Sequence, residues 1–128
     1  MNQQVGAQAY AATGINSSVT EASGHQLIEM LLRSILERIA QTHTALEAGD
    51  MAEKGRLIGK MLDTLMYLQV CLDDDAGLVS ERLNETYEAS MALLTKANMD
   101  NDSETMDSVA YMISAVRDAW IEVGANQQ

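Results

Sequence analysis

ALEAGDMAEKGRLIGKMLDTLMYLQVCL, residues 45–72, holds the end of one helix, a two-residue stop and the whole of the next helix. Gly49 is the residue type that ends a helix in a left-handed turn. Asp50 with Glu53 three places on has the capping-box spacing, with Asp as the cap, so a second helix is expected from Met51 to Leu72. Leu57, Ile58, Met61, Leu62, Leu65, Met66, Leu68 and Leu72 recur at helical spacing. That stripe is too wide for a helix with one buried flank. Either the helix is central, or part of the stripe waits for a ligand.

Working outward, the same period appears three more times. Before Gly49, a helix is expected from Ser23 to Ala48, with Gln26 at capping-box distance from Ser23. Its apolar positions are Leu27, Ile28, Leu31, Leu32, Ile35, Ile39 and Leu46. After the break at Asp73, Asp74, Asp75 and Gly77, a third helix is expected from Leu78 to Ala97, with Val79, Leu83, Tyr87, Met91 and Leu94 on one face. Asn98–Ser103 reads as a polar turn. A fourth helix follows from Glu104 to Val123, with Met106, Val109, Ala110, Ile113, Val116 and Trp120 in register. Four helices of roughly 30–39 Å joined by short turns predict an all-α, antiparallel up-down four-helix bundle over residues 23–123. Residues 1–22 carry no helical stripe and read as a mobile arm or lid anchored by Tyr10, Ile15 and Val19; residues 124–128 read as a disordered tail.

Composition narrows the function. The chain has 128 residues, 19 acidic against 8 basic, and a formal net charge of −11. A nucleic-acid binder needs a basic footprint, and an anionic membrane surface attracts cations; neither partner is expected. With 47% apolar residues the chain has the material for one core. It has no Pro, which favours long helices, and nine Met, which favour adaptable contact surfaces. One cysteine, no leader-like segment and no apolar run of membrane length make the cytoplasm the expected compartment.

No catalytic or metal constellation emerges. The di-metal bundles use Glu-x-x-His pairs, but Ala22 and Ala40 stand three places before His25 and His43. Cys71 stands alone, which excludes c-type haem attachment and favours a small buried or half-buried role. The Asp73 turn lacks a calcium loop's sixth-position glycine, since Leu78 is there. Ten acids between Asp73 and Asp107 face only Arg82 and Lys96, which reads as a solvated, solubilising face. No cofactor, metal or enzymatic activity is expected. One alternative uses His43, in the manner of the histidine phosphotransfer bundles. That motif places Lys and Gly just after the histidine, and here Thr44, Ala45, Leu46 and Glu47 follow, so an ordinary surface histidine is favoured.

Several segments resemble a known family. VTEASGHQLIEMLLRSIL, residues 19–36, is similar to the FliS-family opening V-x-T-A-S-P-x-x-L-I-x-M-L-Y-D-G-A-I, with Val19, Ala22, Ser23, Leu27, Ile28, Met30 and Leu31 in the matching places. The Gly-Asp turn and second helix also match. So does the third helix with Leu83, Tyr87, Leu94, Ala97 and Asn98, and so does the closing AVRDAW, ending at Trp120. Gly24 replaces the family's proline, and Leu32-Arg33-Ser34 replaces Tyr-Asp-Gly. The resemblance spans residues 10–122. It implies a non-enzymatic, cytoplasmic export chaperone. Such a chaperone binds the C-terminal segment of flagellin, prevents premature polymerisation and delivers flagellin to the flagellar type III export apparatus.

A binding groove of Leu, Ile and Met would suit such a client. The expected groove residues are Ile58, Met61, Leu65 and Leu68, with Leu72 at its end and Leu83 and Tyr87 from the third helix. Each reads equally well as core. Tyr10 and Val19 are expected to anchor the arm over the empty groove. Self-association into a homodimer stays open.

Overall fold

The computed structural model describes residues 24–126. Gly49 and Asp50 separate the first two helices, Gly24–Ala48 (α1) and Met51–Val70 (α2). Gly49 takes φ +70°, the left-handed region that a side chain disfavours. Its N–H donates to the Leu46 carbonyl at 3.1 Å, and the Asp50 N–H donates to the Ala45 carbonyl at 2.9 Å. These two bonds satisfy the orphan carbonyls at the end of α1 in the Schellman pattern. Asp50 then caps α2, accepting the Glu53 N–H at 3.1 Å. Only half of the expected capping box forms, because the Glu53 carboxylate turns to Arg56 instead.

A single 3-10 turn, Asp74–Ala76, leads into Leu78–Asp100 (α3), and Ser103–Asn126 (α4) completes the chain order. Asn101 ends α3 in the left-handed conformation at φ 54°. Asp102 caps α4 at once, its carboxylate accepting the Glu104 and Thr105 N–H groups at 3.0 and 3.4 Å.

The helices close into a ring in which α1 packs on α2 and α4, and α3 on the same two. Cross-links give their directions. Lys54, early in α2, donates to the Asn98 carbonyl at 2.8 Å and to Asn101 Oδ1 at 2.6 Å, late in α3. Glu29, early in α1, accepts from Arg117, late in α4, at 2.8 and 3.0 Å. These neighbours therefore run antiparallel, as an up-down four-helix bundle requires.

The core is built from the predicted stripes. Leu31, Leu32 and Ile35 of α1, Leu94 of α3, and Met106, Val109 and Ile113 of α4 are all 0% exposed. Each such side chain contributes about 1.5–3 kcal/mol relative to exposure. Two buried hydroxyls of α1 are satisfied within their own helix: Ser34 donates to the Leu31 carbonyl and Thr42 to the Arg38 carbonyl, at 2.6 and 2.7 Å.

Four boundaries differ from the expected ones. α2 ends at Val70, two residues early, and α3 runs on to Asp100, because Asn101 supplies the left-handed stop. α4 starts at Ser103 behind the Asp102 cap and runs through Asn126, so residues 124–126 are helical rather than tail. The expected Ser23 cap, the 1–22 arm with Tyr10 and Val19, and residues 127–128 lie outside the described residues.

Candidate functional site

Of the seven residues expected to line a groove, Ile58, Met61 and Leu65 are interior, at 0–1% exposed. α2 lies between α1 and α3, and the two flanks cover its stripe; these three belong to the core, and a groove lies elsewhere. Of α2, Met66 and Val70 turn large apolar side chains outward, at 55% and 60% exposed, as does Met51 at the helix start at 42%. Leu68 and Tyr87, also interior at 1% and 2% exposed, meet the partly buried Leu72 and Leu83 around a small hollow of ≈ 150 Å³ where the start of α3 joins the end of α2. Ile28, Val79 and Trp120 complete its apolar wall.

A second hollow opens beside it, between α3 and α4. This trough encloses ≈ 390 Å³ and is lined by Val79, Leu83, Ala115, Val116, Ala119, Trp120 and Val123. Every lining side chain is apolar. Val79, Leu83 and Trp120 border both hollows, so the two form one continuous oily surface. Val79 is 63% exposed and Val123 47%.

The cause of the trough is local. At their other ends α3 and α4 meet through Leu94, Met106 and Val109, large side chains that fill the seam. Near the start of α3, the facing turns of α4 offer Ala115 and Ala119 instead. Packed helix axes stand about 8–10 Å apart with side chains filling the space between them, and methyl groups fill little of it, so the seam stays open. Periodicity places Val79, Leu83, Val116 and Trp120 on inward faces but carries no information on what stands opposite. The available signal was the pair of alanines four residues apart, next to Val116 and Trp120.

Asp73 and Ser80 also line the smaller hollow, and further polar groups sit beside the surface. Gln69 donates to Asn84 Oδ1 at 3.0 Å and Glu88 Oε1 at 3.2 Å, holding the seam of α2 and α3. Tyr87 shows how dry the smaller hollow is: burial, with a minor contribution from Cys71, pushes its phenol up to about 12. The Cys71 residue is exposed overall, yet its thiol is pushed up by burial, opposed by a hydrogen bond from Tyr67. A thiol with a raised pKa is a poor nucleophile at neutral pH.

His43 Nε2 lies 2.9 Å from Asp107 Oδ1 across the seam of α1 and α4. A carboxylate at that distance opposes a phosphoryl group on the same nitrogen. Among the described residues, no group of three or more His, Cys, Asp or Glu converges as a metal site. No described helix is long and apolar enough to cross a membrane. The apolar lining of the trough suits it to holding an apolar segment.

A family model described as flagellar protein FliS matches residues 6–127. The chain is 32% identical over 117 residues to a flagellar secretion chaperone FliS of Vibrio cholerae, covering 91% of this chain and 86% of the relative. It is 35% identical over 112 residues to the flagellar secretion chaperone FliSB of Pseudomonas aeruginosa, covering 87% and 89%. It is 32% identical over 120 residues to the FliS chaperone of Salmonella typhimurium, covering 92% and 89%.

Proposed function

The chain belongs to the FliS family of flagellar proteins, and on that premise we propose that it is an export chaperone holding the C-terminal segment of flagellin in the trough between α3 and α4. The supporting observation is the trough itself, a folded seam left open and lined only by apolar side chains. An unassembled flagellin end exposes apolar helical surface that associates with its own kind. An amphipathic helix laid in the trough hides that surface and replaces water on both partners. Val79 and Leu83 on one wall are four residues apart, as are Ala115 and Ala119 on the other, so both walls offer the ridge spacing of a helix.

Binding alone carries this activity. The complex keeps flagellin from polymerising early and is handed to the export apparatus, where a competing surface displaces the client. The exposed acids of α3 (Glu81, Glu85 and Glu88) keep the complex soluble. The test is co-purification from the cytosol of a flagellated cell. Full-length flagellin should be retained, and flagellin lacking its last few dozen residues should not. Equal retention of both would refute the proposed client segment.

A further inference from the structure

Trp120 is the chain's one tryptophan and stands where the two hollows meet. Two contacts fix it from the α1 side, and a glycine of α4 makes room for them. The His25 imidazole stacks on its indole, with ring centroids 4.5 Å apart and planes 8° from parallel. The indole Nε1–H donates to the His25 carbonyl at 2.8 Å. Gly124 follows one turn later on α4, and a Cβ there would stand 2.2 Å from His25 Nε2.

Gly124 has no backbone reason to be glycine. It lies inside α4, and the positive-φ glycines are Gly49 and Gly77. Glycine is a poorer helix former than alanine, so its presence here matches a need for space. The space is a notch that seats the imidazole edge.

We propose that His25, seated in the Gly124 notch, is a positioning residue that holds Trp120 as a rigid wall for an aliphatic side chain of the docked segment. This deepens the docking reading and rests on it. A rigid aromatic anchor loses little freedom when a partner arrives, whereas a loose one must be ordered at the moment of binding. The Nε1–H bond uses a backbone carbonyl and survives any substitution at position 25. The ring stack does not, which makes the His25 side chain separable.

The test uses the full chain and a synthetic flagellin C-terminal segment, with near-UV circular dichroism of Trp120 in the free protein and calorimetric titration for affinity. His25→Ala and Gly124→Ala should each diminish the Trp120 signal and weaken binding on the order of 3- to 10-fold. Far-UV helicity should persist, since alanine favours the helix. His25→Phe, a flat ring for the same notch, should restore both readouts. Gly124→Ala should add nothing in the His25→Ala background, because its effect passes through the imidazole. A loss of the Trp120 signal with affinity unchanged would overturn the positioning role alone. So would additive effects of the two alanines, or a normal signal in both. Failure of the wild-type chain to bind the segment would refute the docking reading, and this proposal with it.

Discussion

Ala119→Asp separates binding from folding at the trough. Ala119 lines the trough and is exposed to solvent, so its carboxylate stays hydrated in the free protein. The folding cost is the difference in helix propensity, up to about 0.7 kcal/mol. For a bundle of this size that lowers Tm by roughly 3–5 °C. Docking changes the balance. An apolar helix laid on a trough with no polar lining strips water from the carboxylate and offers it no partner. The effective penalty for such an ion is several kcal/mol. At about 1.4 kcal/mol per tenfold, a penalty of ~3 kcal/mol weakens binding by at least 100-fold. The assay is calorimetric titration with the flagellin C-terminal segment, alongside a thermal melt. Leu65→Asp supplies the contrast. At 0% exposed, its charge is buried in the folded protein itself and should abolish helicity. Wild-type affinity in Ala119→Asp would refute the trough as the docking surface.

Other outcomes test the scaffold. Arg117→Ala leaves the mostly buried Glu29 carboxylate without its paired guanidinium and should cost about 1–3 kcal/mol, read in urea unfolding. Lys54→Met removes both bonds that tie the start of α2 to the end of α3, and a similar loss of about 1–3 kcal/mol should appear in the same assay. Acid should destabilise the bundle. Asp102 is held below the usual carboxylate range chiefly by the Thr105 hydroxyl and backbone N–H, and Glu53 by the Arg56 hydrogen bond. A carboxylate depressed in the folded state stabilises above its unfolded pKa of about 4, and that contribution fades as pH falls through the lower folded value. Melts from neutral pH downward should therefore drop more steeply in the wild type than in Asp102→Ala.

The helices and their punctuation were legible because local chemistry decides them. Gly49 stops α1 and Asp50 starts α2 through bonds within six residues, and the stripes of Leu31, Leu32 and Ile35 or Met106, Val109 and Ile113 are buried as their spacing requires. The polar tract Asn98–Asp100 predicts a turn, yet the helix continues until Asn101 takes the left-handed conformation. The candidate surface was legible only in part. Leu68, Leu72, Leu83 and Tyr87 converge on the smaller hollow, but Leu68 and Tyr87 are interior, and Ile58, Met61 and Leu65 fill the core, since a wide stripe on a helix with two neighbours is covered from both sides. The trough depends on Ala115 and Ala119 standing opposite Val79 and Leu83, more than thirty residues away in sequence. That complementarity across a seam is a tertiary property, which the period of one helix does not encode. The notch at Gly124 is of the same kind.

The most direct measurement is methyl NMR of the full chain titrated with the flagellin C-terminal segment. The methyl groups of Val79, Leu83, Val116 and Val123 should shift together, while Met66 and Val70 on the outer face of α2 stay in place. Shifts confined to Met66 and Val70, with the α3–α4 seam silent, would contradict the account.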